Sequence, residues 1–206
     1  MEALDPAEIR VLGCLLEKQQ TTPDAYPLTL NALRLACNQS TNREPVVDYD
    51  EATVREAAQQ LGRRGWARLA SYHGSRAAKY RHLLDEALGL APDERALLCV
   101  LMLRGPQTLG ELKQRTERLH RFEDLGAVEA ALERLTAREL GRWSERTPGQ
   151  KEARYTHLLA SEEGGPPEPA QPVEPAPDLP GEVARLRAEI AAVREEVAAL
   201  RGRLET

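Results

Sequence analysis

The spacing of hydrophobic positions along the chain changes several times, and each change predicts a new structural element. In residues 9–16 the apolar side chains recur with the 3.6-residue period of an amphipathic helix. Asp5 is a suitable N-cap for this helix, Pro6 suits its first position, and Glu8 completes a capping box. The pattern therefore predicts a helix that begins directly after Asp5.

Two further helices and a hairpin follow in the pattern. Helical spacing returns at residues 30–36, and Asp50 is placed to cap a third helix that Gly65 ends. Beyond Gly65 the apolar positions alternate, which predicts two short strands about the Gly74-Ser75 turn. Three helices followed by a hairpin is the element order of a winged helix-turn-helix domain.

The chain then repeats this order. The segment Lys79-Tyr80-Arg81-His82-Leu83 has a near copy in Arg154-Tyr155-Thr156-His157-Leu158, and Leu4 and Thr29 have counterparts in Leu90 and Thr108. Such self-similarity indicates a duplicated structural unit. The second copy predicts helices at 92–103, 109–119 (capped by Thr108 and Glu111) and 125–139, and strands about Pro148-Gly149. The predicted fold class is mainly α with small β-hairpins (α+β), with winged helix-turn-helix domains at 1–86 and 87–160. We refer to these two segments as the first and second repeats.

Residues 161–180 have a different character from the repeats. Seven of the fourteen prolines lie there, among Glu, Ala and Gly. Such a segment cannot bury a core, and we expect an extended linker with a reach of about 60 Å in the polyproline conformation.

Residues 181–206 carry the heptad pattern of a coiled coil, which begins with Leu179 in the linker. The a and d positions are apolar throughout. The g positions are Glu, and the e positions are Arg. This arrangement favours a parallel two-stranded coil, because every g–e′ pair then attracts. The alternative is an amphipathic helix that folds back onto the repeats, but it does not explain the Glu/Arg alternation. The predicted dimerisation residues are Val183, Leu186, Ile190, Val193, Val197, Leu200 and Leu204.

Charge does not by itself indicate a partner for the repeats. The chain of 206 residues has a net charge of −5, but the first repeat has 11 basic and 12 acidic residues and the second has 12 and 11. The excess of acid lies in residues 161–206, with 5 basic and 10 acidic residues. The chain shows no signal peptide and no apolar run of membrane-spanning length, and Cys14, Cys37 and Cys99 lack metal-ligand spacing. We expect a cytoplasmic protein with buried free thiols and no membrane partner.

No constellation of residues indicates catalysis. The four histidines show no metal-ligand spacing on one helix face, and phosphate-binding and nucleophile motifs are lacking. His82 and His157 occupy matched places, which favours a shared packing role. We therefore predict a protein that is not an enzyme, with no catalytic residue, no metal site and no cofactor.

Basic residues at the hairpins and on the second helix of the second repeat are candidates for contacts to a DNA backbone, and the alternative is that they form an ordinary solvated surface. These candidates are Arg76, Lys79, Arg81, Lys113, Arg115, Arg118, Arg146, Lys151 and Arg154. The first turns of both third helices are acidic, with Asp50, Glu51, Asp124 and Glu129 among the residues there. Carboxylates at these positions suit the helix dipole but repel phosphates.

The loop at 38–49, here called the signature loop, is dense in hydrogen-bonding side chains. Asn38, Gln39, Thr41, Asn42 and Arg43 could contact base edges, but the same side chains also satisfy turns of their own backbone.

This loop also carries a resemblance to a known family. The segments Leu15-Leu16-Glu17-Lys18-Gln19, Thr21-Thr22-Pro23, Tyr26-Pro27-Leu28, Ala36-Cys37-Asn38-Gln39 and Thr41-Asn42-Arg43-Glu44-Pro45-Val46 resemble the signature of the YceH-like family of uncharacterised bacterial proteins. The resemblance covers about residues 4–160 and implies a tandem winged-helix fold. It implies no activity and assigns no functional residue.

Two functions fit these observations. The first is a DNA-binding, regulator-like homodimer that makes mainly backbone contacts to double-stranded DNA. The second is a protein-interaction scaffold whose winged domains bind a protein partner, which the acidic third helices and the near-zero charge of each repeat favour.

Overall fold

The computed structural model describes residues 3–70, 78–144 and 152–160. The predicted hairpin turns, the proline-rich linker at 161–180 and the coiled-coil helix at 181–206 lie outside the described residues.

The described residues form an α+β fold in which the order of helices and strands occurs twice. The first repeat contains α1 (Pro6–Thr21), a 3₁₀ turn (Pro23–Ala25), β1 (Leu28–Thr29), α2 (Leu30–Cys37), α3 (Glu51–Arg63), β2 (Ala67–Ala70), β3 (Lys79–His82) and α4 (Leu84–Leu88). The second contains α5 (Pro92–Arg104), α6 (Leu109–Thr116), α7 (Leu125–Ala137), β4 (Gly141–Ser144) and β5 (Arg154–His157). The sequence pattern did not predict β1 or α4.

Two helices of the second repeat are shorter than their predicted bounds. The predicted helix 109–119 ends at Thr116, whose hydroxyl donates to the Leu112 carbonyl at 2.7 Å. The predicted helix 125–139 ends at Ala137, because Glu139 takes a left-handed backbone conformation with φ of 56°. A left-handed residue cannot continue a right-handed helix.

The strands form two small antiparallel sheets, one in each repeat. In the first repeat the order is β1-β3-β2, and Leu28 of β1 lies opposite Tyr80 of β3. In the second repeat β4 pairs with β5, and Gln107 forms an isolated bridge with Tyr155. This bridge is the counterpart of the β1–β3 pairing, so the second repeat retains a reduced form of the third strand.

Side-chain caps fix the starts of the principal helices. Asp5 accepts from the Glu8 N–H at 2.7 Å, and Glu8 accepts from the Asp5 N–H at 2.9 Å, as the predicted capping box requires. Asp50 caps α3 and Asp124 caps α7 without a reciprocal bond, each accepting from the N–H three residues later at 2.8 Å. These two acidic residues at the third helices therefore have a structural role.

The hydrophobic core is continuous across both repeats, because α1 and α5 pack against each other. Gly13 permits their close approach: a Cβ atom at this position would lie 2.9 Å from Leu103 Cδ2. The Cys99 thiol donates to the Gly13 carbonyl at 3.5 Å, and Cys14, Cys37 and Cys99 are buried free thiols, as predicted. The first helix of each repeat thus forms the junction between them.

A buried glutamate at the start of each first helix binds arginine from the end of the third helix. Glu8 pairs with Arg64 at 3.2 Å in the first repeat. Glu94 pairs with Arg134 at 3.1 Å and Arg138 at 2.9 Å in the second. The same ion-pair arrangement therefore ties the first and third helices together in both repeats.

Candidate nucleic-acid interface

A polar cleft of about 210 Å³ lies at the junction between the repeats. The end of α1, the signature loop, the end of α5 and the end of α6 with the residues after it form its walls. Four of the lining residues are basic, and we call this feature the cationic cleft. They are Lys18, Arg104, Arg115 and Arg118.

The charge of the cleft exceeds what its single acidic lining residue can neutralise. That residue, Glu17, is bound to Arg43, with atom pairs at 2.6 and 3.1 Å. Burial raises the pKa of Glu17, but hydrogen bonds and charge from Arg43, with a smaller contribution from Lys18, outweigh burial and leave that pKa lowered. Glu17 is therefore ionised and bound mainly to Arg43, with a longer contact to Lys18 at 3.6 Å, and among the described residues it forms no ion pair with Arg104, Arg115 or Arg118.

The positive charge around Arg104 contributes to lowering its pKa. Burial lowers the pKa of Arg104, and repulsion from Arg115 and Arg43 lowers it further. Its guanidinium donates to the side-chain carbonyl of Asn42 in the signature loop. A cation held among other cations attracts an anionic ligand.

Arg115 and Arg118 differ in whether they have a partner among the described residues. Arg115 forms an ion pair of 3.4 Å with Glu111 one turn earlier on α6. Arg118 is exposed and has no ion-pair or hydrogen-bond partner among the described residues. Lys18 lies 3.6 Å from Glu17 and donates to Gln39 at 3.3 Å. Arg118 is thus the cation of the cleft that is most available to a partner.

Arg43 is a buried residue that holds the signature loop in place beside the cleft. Its side chain is fully buried; beyond the pair with Glu17, it donates to the Ala36 carbonyl at 3.1 Å and to Gln39 at 2.9 Å. Burial would lower the pKa of Arg43, but the bond to Glu17 raises it well above the usual value. Arg43 therefore organises the loop and is not exposed to a ligand.

The other residues of the signature loop divide between structural contacts and the cleft. Asn38 donates to the Tyr49 carbonyl at 2.8 Å and accepts from the Tyr49 N–H at 2.9 Å, which closes the loop. Thr41 and Asn42 are exposed and line the cleft, together with the half-buried Gln39. Asn42 adopts a left-handed conformation with φ of 60°, which asparagine tolerates better than most residues.

The remaining candidate cations among the described residues do not line the cleft. Arg81 pairs with Glu86 at 3.0 Å and lines a separate depression with Arg68. Arg154 pairs with Glu111 at 2.9 Å. Lys79 is half-buried on β3, and Lys113 lines a shallow depression beside Phe122. Arg76, Arg146 and Lys151 lie outside the described residues.

Two cations of the cleft were not among the sequence-based candidates. Lys18 lies in one of the segments that carry the family signature. Arg104 occupies the last turn of α5, where a basic residue suits the helix dipole. Their place in the cleft depends on how α1 and α5 pack, which the hydrophobic pattern does not encode. The other half of the Arg43 ion pair, Glu17, also lies in a signature segment.

Among the described residues, no group of three His, Cys, Asp or Glu side chains could hold a metal ion. A search of the same residues for a helix with the length and hydropathy needed to cross a bilayer finds none.

The two matched histidines occupy different surroundings. His82 is buried; its Nε2 lies 2.7 Å from Gln19 Oε1, and its backbone N–H donates to the Tyr26 hydroxyl at 2.8 Å. Burial lowers the pKa of His82 to about 4, although the charge of Asp85 opposes this shift. His157 lies at a separate apolar cavity, and burial lowers its pKa to about 4 as well.

We expect these histidines to make stability depend on pH. As the pH falls below the ordinary histidine pKa of 6.5, the unfolded chain binds protons that the folded chain still excludes. The free energy of unfolding therefore decreases between about pH 6.5 and pH 4, by up to about 1.4 kcal/mol per pH unit for each such histidine. Urea denaturation across this range measures the slope, and His82→Gln should reduce it. Equal slopes for the variant and the unaltered chain would contradict the prediction.

The structure thus defines an α+β protein made of two similar helix-rich repeats with a cationic cleft at their junction. Residues 4–150 match the model of the family described as "Protein of unknown function, DUF480". The chain belongs to this family, which confirms the predicted membership in a bacterial family without an assigned activity.

Relatives resemble this chain over most of its length. A UPF0502 protein of Pelobacter propionicus is 55% identical over 161 residues, which cover 77% of this chain and 73% of the relative. A UPF0502 protein of Geotalea uraniireducens is 48% identical over 199 residues, or 90% of each chain. The similarity extends through both repeats.

Proposed function

We propose that this protein is a DNA-binding, regulator-like homodimer whose repeats are tandem winged helix-turn-helix domains. The observation that carries the proposal is the cationic cleft, where four basic side chains from both repeats lie beside the exposed polar residues of the signature loop. The repeated order of three helices and two strands supports the winged-helix assignment.

The contacts expected from this surface are mainly to phosphates. Lysine and arginine side chains around a cleft neutralise backbone charge without reading a base sequence. The amide of Asn42 is engaged by Arg104, and Asn38 and Arg43 are engaged within the loop. Thr41 and Arg118 remain the groups of the cleft with the greatest freedom to meet a nucleic acid. The proposed binding is therefore strong at low salt and weakly selective.

The sequence pattern of residues 181–206 supports a dimer of such units. Two weakly binding units joined by a coil and a linker bind one duplex with greater avidity than either does alone. In the full chain, Ile190→Glu combined with Val197→Glu would place like charges at two core positions of the coil. Light scattering should then report a monomer for this variant and a dimer for the unaltered chain.

The test of DNA binding compares two charge reversals in the full chain. Arg118→Glu should weaken binding to long duplex DNA in a mobility-shift assay at about 50 mM salt, and should reduce the slope of log affinity against log salt by about 1. Arg63→Glu is the matched control, because Arg63 is an exposed arginine in the last turn of α3, away from the cleft and from the N-terminal turns that a winged helix inserts into DNA. The control should retain the affinity of the unaltered chain. Absence of any binding at this salt concentration, or an equal loss in both variants, would contradict the proposal.

A second candidate is a scaffold that binds a protein partner. The observation that favours it is the start of α7, where Leu125 is 46% exposed beside the acidic residues Glu123 and Asp124. An exposed apolar side chain at the position that a winged helix inserts into DNA suits a protein surface better than phosphates. Affinity capture with and without nuclease separates the two functions. Partners that survive nuclease favour the scaffold, and loss of all partners favours DNA.

A further inference from the structure

An apolar cavity of about 300 Å³ lies at the junction of the repeats, apart from the cationic cleft. Its walls include Leu4, Ile9, Leu101 and Met102, and three prolines also line it. Leu4 donates its N–H to the Leu159 carbonyl at 2.8 Å, so the first and last described segments meet beside the cavity. The volume falls at the lower end of the range for small-molecule sites.

The cavity contains a buried positive charge that lacks a counter-ion. Arg10 is 3% exposed, and its guanidinium donates to the Cys37 carbonyl at 3.0 Å and the Pro45 carbonyl at 2.6 Å. Its Nε atom has no hydrogen-bond partner, and no described ion pair includes Arg10. Because burial disfavours the charged form, the pKa of Arg10 is lowered. A buried cation without a carboxylate is costly, and a ligand that supplies one would offset this cost.

His157 lines the same cavity and offers a second donor. The Nδ1 atom of His157 accepts from the Leu159 N–H at 3.3 Å, which assigns the ring proton of the neutral imidazole to Nε2. That Nε2–H has no partner among the described residues, and His157 lines the cavity. The cavity therefore combines apolar walls with one positive charge and one unpaired donor.

We propose that this cavity binds a small monocarboxylic acid with an apolar body. The carboxylate would lie at Arg10 and His157, and the hydrocarbon would lie against Leu4, Ile9, Leu101 and Met102. A cavity of about 300 Å³ lies at the small end of the range for small-molecule sites, which favours a small ligand over a large cofactor. The exposed Glu44 also lines the cavity, and its carboxylate disfavours a second negative charge on the ligand. This site does not depend on the proposed DNA binding.

The ligand would contact both repeats at once. Arg10 lies on α1 and Met102 on α5, whereas Thr156 and His157 belong to β5. A molecule that binds only the folded arrangement of these elements stabilises that arrangement by mass action. The melting temperature of the full chain is therefore a direct readout of occupancy.

The test uses phenylacetate, benzoate and hexanoate as probes, with their neutral amides as ligand controls. The acids should raise the melting temperature of the full chain at millimolar concentration, and calorimetric titration should show at least tenfold weaker binding of the amides. An equal effect of acids and amides would overturn the role of Arg10, and no effect of any acid would overturn the site itself.

Variants then locate the binding. His157→Phe keeps an aromatic ring but removes the donor, and it should weaken binding of phenylacetate about tenfold. Ala160→Leu fills part of the cavity and should abolish binding, whereas Ala70→Leu, at a half-buried position on β2, should not change it. Circular dichroism confirms that each variant is folded. An acid that still binds to Ala160→Leu but not to Arg118→Glu would place the anion in the cationic cleft and overturn the proposal.

Discussion

Replacement of Arg43 by leucine should lower the free energy of unfolding by about 3–5 kcal/mol, because it removes one partner of a buried ion pair. The Arg43 side chain has no exposed area, and the Glu17 carboxylate, which is 13% exposed, would keep only its longer contact with Lys18 at 3.6 Å. The carbonyl of Ala36 would also lose its donor. Urea denaturation of the full chain, monitored by circular dichroism, measures the loss.

A double-mutant cycle tests whether the pair itself causes this loss. Glu17→Leu together with Arg43→Leu should destabilise the chain by less than the sum of the two single changes, since no buried charge is then left alone. The control is the exposed pair of Arg55 and Glu51, at 3.7 Å, where Arg55→Ala should change stability by less than about 1 kcal/mol. Strict additivity of the two leucine substitutions would show that Arg43 acts through other contacts.

Replacement of Gly141 by alanine should destabilise the second repeat by about 3 kcal/mol through steric overlap. A Cβ atom at Gly141 would lie 2.4 Å from Tyr155 Cε1 and 2.7 Å from the Tyr155 hydroxyl oxygen. Tyr155 cannot move aside, because it is fully buried and its hydroxyl donates to the Leu132 carbonyl at 3.0 Å. Thermal unfolding of the full chain measures the effect.

The matched control is a glycine with open space around it. Gly110 is exposed on α6, and a Cβ atom there would meet no other atom within 4 Å. Gly110→Ala should stabilise the chain by about 0.5–1 kcal/mol, since alanine favours a helix more than glycine does. Equal effects at the two positions would show that overlap with Tyr155 is not the cause of the loss.

Local signals made much of the fold predictable. The start of α1 follows from Asp5, Pro6 and Glu8, which lie within four residues of one another. By contrast, β1 has only two residues and exists because Leu28 pairs with Tyr80, far along the chain. An element that depends on a distant partner leaves no periodic pattern of its own.

The candidate site was predictable only in part, for the same reason. The signature loop and Arg118 were candidates from the sequence, but their proximity depends on the packing of α1 against α5. That packing requires a residue without a side chain at position 13, and the spacing of hydrophobic residues along the chain does not reveal this requirement. The burial of Arg43 likewise depends on Glu17, a partner on another element. Both features result from tertiary packing.

The contact between Cys99 and Gly13 has a consequence for the origin of the chain. At the offset of 86 residues that relates Leu4 to Leu90, Gly13 corresponds to Cys99. Equivalent positions touch each other across an interface when they lie near a two-fold axis, as in an isologous dimer. The junction of α1 and α5 therefore has the form expected if two identical ancestral subunits had been fused into one polypeptide.

Residues that line the cationic cleft are related by the same correspondence between the repeats. Lys18 corresponds to Arg104 at the same offset, and Gln39 corresponds to Arg118 at the offset of 79 that relates Thr29 to Thr108. Each ancestral subunit would have supplied the same positions to a shared groove. In the present chain, polar residues of the signature loop line one side of the cleft and arginines line the other. The cleft is therefore asymmetric, and if it binds DNA as proposed, its two sides would meet the two directions of a strand differently.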